Sequence, residues 1–301
     1  MLTPSPSATL LPLPEGEGWG EGAKRANIDD MRKSQLCLIS GTLLMTTLAT
    51  VITGASGGIG EALARLFAPE QQALVLVARS KDKLDALAKE LNSKHGIKVH
   101  VIVQDLQEIG AAANLMNEIS NLKLSVDTLV NNAGFGVSAP FAKADAAKTS
   151  GMMQLNMVAL TELTHMALPA MLERGHGRIM NIASVVAFQP CPYFAVYAAS
   201  KAYVLSFTEA LAEEMRGRGI LVTAVCPGST DTGFHSVANT KGSLVDKMAE
   251  SPLMVAEEAY KALNNGKTVV VTGLLNKPLP LVNRLVPRKA MTWATSKLMG
   301  R

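Results

Sequence analysis

Aromatic residues are scarce in this chain, at 4% of 301 positions, and cysteines number three. Cys37, Cys191 and Cys226 show neither metal-ligand spacing nor a disulfide framework, which argues for a reducing cytoplasm and against a metal site. The net charge is only +4, and no stripe interleaves aromatic with basic residues, so nucleic acid is not an expected partner. Neither an internal repeat nor a linker after Met45 breaks the chain into parts. Apolar side chains are plentiful: 48% of residues are hydrophobic against 18% charged, enough for one large α/β core and unlike a disordered chain.

The first 44 residues differ from the rest. Pro4, Pro6, Pro12 and Pro14 precede the Gly/Glu alternation of residues 15–22, a composition that cannot build a core. Arg32 and Lys33 followed by the apolar residues 36–49 resemble a signal peptide. That run flows directly into Val51-Ile52-Thr53-Gly54, however, so cleavage there would cut into the first strand and its turn. A dispensable extension is expected, with Met45 as an alternative start.

From Leu48 onward, strand and helix patterns alternate. Strands are expected at 48–53, 73–78, 98–103, 127–130, 178–183, 220–226 and 267–272. Helices are expected at 61–67, 81–94, 111–119, 152–171, around 197–216 and at 255–263. Continuous apolar strands such as Ala73–Ala78 (ALVLVA) suit a sheet covered on both faces. The predicted fold class is α/β, a doubly wound parallel sheet of the Rossmann type in a single domain over 45–275. Residues 229–251, rich in Gly, Ser and Thr, read as a substrate lid. Residues 276–301 form a basic apolar tail, interrupted by Pro287. It could lie on a membrane surface or line a pocket for a greasy substrate, but packing on its own domain or on a neighbouring subunit is the favoured reading.

Three constellations carry chemistry. In Tyr197-Ala198-Ala199-Ser200-Lys201, four residues separate a phenol from an ammonium, so a helix raises both from one face. An adjacent cation favours the phenolate and brings proton exchange nearer neutral pH. Alone, such a pair is an ordinary feature of helix surfaces. Ser184, thirteen residues upstream, follows an apolar strand and could equally be a strand-end cap. The turn Gly54-x3-Gly58-x-Gly60 joins the first strand to the first helix, where glycine lets a backbone approach a pyrophosphate and helix amides point at the anion.

Together with Asn131-Asn132-Ala133-Gly134, Asn156 and Pro227-Gly228, these residues make the chain from Met45 to Phe234 resemble the short-chain dehydrogenase/reductase family. Within it, Leu76-Val77-Ala78-Arg79 and residues 227–234 look most like the bacterial branch grouped with ketoacyl and carbonyl reductases. The resemblance implies that Tyr197 is the general acid, that Lys201 lowers its pKa and binds the nicotinamide ribose, and that Ser184 bonds the substrate carbonyl. Asn156 would hold a water that links Lys201 to solvent. Cofactor contacts are implied for Gly54, Ser56, Gly58, Ile59, Gly60, Asp105, Leu106, Asn132, Ala133 and Gly134, with Asp105 at adenine or as a helix N-cap. Pro227, Gly228, Thr230 and Thr232 would meet the nicotinamide side.

Cofactor choice is read at the end of the second strand. Dinucleotide folds that prefer NAD(H) place an acid there. Here Ala78 occupies the position and Arg79 follows, so NADP(H) is expected, with NAD(H) as the alternative and a solvated Arg79 as the plain reading. The expected protein is a cytoplasmic oxidoreductase, a dimer or tetramer, acting on a small carbonyl or alcohol. An NAD-dependent alcohol dehydrogenase and a non-catalytic dinucleotide sensor are the rival readings.

Overall fold

The computed structural model describes residues 46–232 and 249–299. The extension expected over 1–44, the alternative start at Met45 and most of the lid expected over 229–251 lie outside the described residues.

Seven parallel strands form one sheet: β1 (Thr47–Thr53), β2 (Ala73–Ala78), β3 (Lys98–Val103), β4 (Leu124–Asn131), β5 (Gly177–Ile182), β6 (Ile220–Cys226) and β7 (Val269–Val271). Their order is β3-β2-β1-β4-β5-β6-β7. The winding direction therefore reverses between β1 and β4, and a crevice opens there at the strands' carboxyl ends. The strands lie within a few residues of the expected segments, and the doubly wound α/β expectation holds.

The apolar composition of the strands follows from their two-sided burial. Along β2, Ala73, Val75 and Val77 pack into one core cluster, while Leu74 and Leu76 pack into the other. The first cluster is completed by α3 (Ala111–Asn121) and α5 (Leu160–Arg174), the second by α1 (Gly58–Phe67), α2 (Lys81–His95) and α7 (Pro252–Asn264). Each fully buried aliphatic side chain in these layers contributes about 1.5–3 kcal/mol. A strand with polar residues on either face could not occupy β2.

One expected helix differs. Residues 152–171 are not continuous α-helix: α4 (Ala146–Met153) passes into a π-helical stretch, Gln154–Ala159, before α5 begins. A π-turn takes up one more residue than an α-turn, and such turns recur at functional sites. The helix holding Tyr197 and Lys201 is α6 (Ala195–Glu214).

The tail folds as α8 (Leu279–Leu285) and α9 (Arg288–Met299), divided at Pro287 as the sequence suggests. It packs on its own domain: α8 lies against the short helical segment Val185–Phe188, and Thr295 Oγ1 donates to Pro190 O at 3.0 Å. No helix among the described residues is long and apolar enough to cross a membrane.

Candidate active site

Asn156, Ser184, Tyr197 and Lys201 come together beyond the carboxyl ends of β4 and β5, and all four are buried. Ser184 follows β5 in extended backbone and caps the segment 185–188. Its Oγ lies 3.4 Å from both Pro227 O and Val186 N, long and weak contacts, and it is hydrogen-bonded to Tyr197. Lys201 Nζ donates to Ile182 O at 2.8 Å and sits 5.8 Å from the centre of the Tyr197 ring.

The proton affinities differ from the sequence-based expectation. Burial pushes the Tyr197 phenol upward, against the opposing pull of its bond to Ser184. Burial also lowers Lys201, to about 8. A cation beside the ring was expected to bring the phenol toward neutrality. In this enclosed setting the cost of a buried charge outweighs that attraction, because low dielectric penalises phenolate and ammonium alike.

Asn156 owes its placement to the π-turn. Its Nδ2 donates to Phe135 O at 3.0 Å and to Ser200 Oγ at 3.2 Å, and its Oδ1 accepts from Phe135 N at 3.2 Å. Ser200 in turn donates to Tyr197 O at 2.7 Å. Sequence reasoning missed Ser200; a serine directly before Lys201, three residues after Tyr197 and on the buried side of the helix, was the available signal. It also missed Thr53, whose hydroxyl accepts from Asn132 N and Ala133 N, both at 3.0 Å, and donates to Val130 O. That hydroxyl fixes the turn that crosses from β4 to the glycine loop.

The glycine loop fits a dinucleotide. Gly54 has φ +67°, and a Cβ there would meet Asn132 Nδ2 at 2.8 Å and Ala133 Cα at 2.9 Å. A Cβ on Gly60 would collide with Gly54 O. Gly57 precedes α1 with open space around it and no side chain capping the helix. The leading amides of α1, including those of Gly58, Ile59 and Gly60, therefore receive no cap from residue 57 and stand at a positive helix end suited to a diphosphate. Ser56 is half-buried in this loop, and Thr232 lies over it, a Cβ on Gly58 meeting Thr232 Cγ2 at 2.7 Å. Gly134 lies between Asn156 and Lys201, since a Cβ there would meet Asn156 Oδ1 at 3.0 Å and Lys201 Nζ at 3.3 Å. Pro227 O accepts from Val185 N, Gly228 abuts Asn276, and the Thr230 hydroxyl donates back to Gly228 O at 3.3 Å.

The adenosine side is looser. Arg79 Nη1 lies 3.5 Å from Asp105 Oδ2, and the arginine side chain is 68% exposed. Asp105 Oδ1 accepts from Gln107 N at 3.0 Å, so it caps a turn; α3 starts later, after Gly110. Leu106 turns its side chain into the core and leaves only its main chain for a ligand. Around the tyrosine, Met152, Cys191 and Phe194 are buried with it, and Phe135, Val137 and Val186 pack alongside. Burial pushes the Cys191 thiol up to about 11, so it is an uncharged wall there. Among the described residues, no group of His, Cys, Asp or Glu is placed to hold a metal ion.

Comparison with known proteins agrees with this geometry. The model of the short chain dehydrogenase family matches residues 49–242. The chain is 35% identical over 233 residues to a ketoacyl reductase, HetN, of Nostoc sp., covering 75% of this chain and 80% of that protein. It is 38% identical over 189 residues to a sulfoacetaldehyde reductase of Chromohalobacter salexigens, covering 62% and 74% respectively. Among solved structures, it is similar to a short-chain dehydrogenase from Sphingobium yanoikuyae in complex with NADPH, with a TM-score of 0.70 and 31% identity over 83% of this chain and 94% of that one. A parallel sheet that reverses direction beside a glycine loop, with a buried serine, tyrosine and lysine across the crevice, thus has its place among known proteins: the chain belongs to the short-chain dehydrogenase family of NAD(P)-dependent oxidoreductases acting on carbonyl and alcohol groups.

Proposed function

We propose that this protein is an NADP(H)-dependent reductase of an apolar carbonyl compound, with Tyr197 as its general acid. The observation that carries the reading is the buried contact between Ser184 and Tyr197 directly above Lys201. When bound, the nicotinamide supplies the hydride.

The remaining work belongs to side chains of this chain. The long contacts of Ser184 with Pro227 O and Val186 N are readily exchanged, so beside Tyr197 its hydroxyl can turn to a carbonyl oxygen, where it offsets developing negative charge. Tyr197, held protonated by burial, is a proton donor to the same oxygen, the task of a reductase acid. Lys201, anchored by one bond to Ile182 O, keeps two N–H groups for the ribose hydroxyls and the proton path. Both amide hydrogens of Asn156 are engaged, so a water on that path is held through an oxygen lone pair.

Substrate class follows from the wall. Among the described residues packed around Tyr197, Phe135, Val137, Met152, Val186, Cys191 and Phe194 are uncharged, and Lys201 is the cation beneath the ring. That lining favours a carbonyl flanked by apolar groups, of the 3-oxoacyl or bulky ketone kind, over a small anionic aldehyde. For the cofactor, Arg79 after the uncharged Ala78 supports a 2′-phosphate, and the NADPH bound by a similar solved structure is consistent with it. Residues 1–44 are read as an extension outside the catalytic domain of 45–275, and the working protein as a homo-oligomer.

The test is turnover of a panel of ketones, aldehydes, 3-oxoacyl thioesters and hydroxy acids, followed by NADPH consumption. The expected result is highest kcat/KM on apolar ketones or 3-oxoacyl thioesters. Preference for a charged short aldehyde, or the absence of turnover on the whole panel despite NADPH binding, overturns the proposal.

A further inference from the structure

The two tail helices carry exposed side chains that the catalytic reading does not use. Residues 277–301 contain six Lys or Arg and no Asp or Glu, so the net +4 of the whole chain leaves −2 for the other 276 residues. The positive charge of this protein is therefore concentrated in its last 25 positions.

Helix geometry sorts those residues. In α9, Lys289, Trp293 and Lys297 are four apart and stack on one side. Thr295, bonded to Pro190 O, lies about 200° around the helix from Trp293, so the buried side holds a threonine and the outer side a Lys-Trp-Lys ladder. Trp293 is 66% exposed. In α8, Leu281 and Leu285 share a side by the same spacing and are 61% and 74% exposed. Among the described residues, Arg284, Arg288, Lys289 and Lys297 make no ion pair, whereas Lys277 is paired with Glu258 at 3.5 Å.

An exposed tryptophan flanked by ammonium groups on one helix, with exposed leucines on the helix before it, leaves apolar area in water. The arrangement is favourable at the boundary between acyl chains and anionic headgroups, where the indole and leucines enter the apolar layer and the cations meet phosphates. A partner surface that is merely acidic would leave the leucines wet, and one that is merely apolar would leave four cations desolvated without counter-charge. We infer that α8 and α9 form a docking surface for a bilayer containing anionic lipid, on which the protein lies peripherally. Thr295 Oγ1, 3.0 Å from Pro190 O, and the packing of α8 on 185–188 join these helices to the loop between Ser184 and Tyr197.

The experiment is co-sedimentation of the full chain with vesicles of phosphatidylcholine, with and without about 30% phosphatidylglycerol, at low and high salt. Expected is binding at least about tenfold tighter to the anionic vesicles, weakened by salt, with a blue shift of tryptophan emission that Trp293→Phe removes. The pair Arg288→Gln, Lys289→Gln should weaken that binding by about tenfold or more. Leu285→Ser with Trp293→Ser should abolish it while turnover of a water-soluble carbonyl is retained. If the apolar pair instead unfolds the protein, the charge pair alone decides. Equal binding by wild type and the charge pair, equal affinity for neutral vesicles, or a Trp293 signal that vesicles leave unchanged overturns the inference. So does a dimer in vesicle-free solution that Leu285→Ser dissociates, because the face would then belong to a second copy.

Discussion

The two ends of the cofactor crevice are built on different principles. At the end proposed to be catalytic, Asn156 makes three hydrogen bonds and Lys201 one short bond, and with Tyr197 these side chains are buried, at 8% exposure or less. At the adenosine end, Arg79 and Asp105 meet across water-exposed strand ends with one contact at 3.5 Å. A group that must present a proton to within an ångström is fixed by several partners, each costly to break in low dielectric. A group that needs only to supply charge to a phosphate can sit on a mobile stem in water. It contributes less, and it is replaceable without disturbing the fold.

Three changes would break or sharpen that contrast. The largest effect belongs to the rigid end: Tyr197→Phe should lower kcat by about 10²–10⁴-fold, since the ring still packs but the transferable proton is gone. NADPH affinity, measured by fluorescence titration, should stay within about threefold of wild type, and a variant retaining most of its turnover would remove Tyr197 as the acid. At the loose end, Ala78→Asp with Arg79→Ser should move the ratio of kcat/KM for NADPH over NADH by about tenfold to a hundredfold without a change in melting temperature. An unmoved ratio, or a wild type equally served by NADH, would show Arg79 to be only a solvated helix-end residue.

The smallest effect concerns the buried cation. The Lys201 value in the folded chain, about 8, lies below the 10.5 of an unburied lysine, so between those values the unfolded chain binds the extra proton. From pH 8 to 10.5 this group therefore adds stability as pH rises. Melting curves of wild type against Lys201→Met should show the difference moving in favour of wild type across that window. A difference that is flat with pH would mean that Lys201 titrates normally and that its surroundings are wetter than the buried geometry implies.

Much of this was legible in the chain itself. Apolar strands with no polar face demanded helices on both sides, and the glycine spacing located the crevice, because both are local requirements of backbone and burial. What stayed hidden depended on contacts between distant segments. Thr53 and the turn after β4 are 79 residues apart in their bond, and Ser200 matters only because Asn156 reaches it from 44 residues away. The proton affinity of Tyr197 was misjudged for the same reason: charge spacing is visible in a sequence, whereas enclosure is a property of the packed corner.

The π-turn at Gln154–Ala159 takes up one residue more than an α-turn would, with buried Met152 before it, buried Asn156 within it and buried Leu163, Ala167 and Met171 after it. The extra residue works as a phase shifter, setting two stretches of one helix to independent clocks. One stretch is set to the bonds of Asn156 with Phe135 and Ser200 and the other to the sheet under α5. Substituting Val158, 40% exposed, disturbs neither clock. Deleting it forces a choice: either Asn156 swings off Phe135 and Ser200, or Met171 and its neighbours rotate by about 100° out of the core. In this segment, length is under tighter constraint than identity.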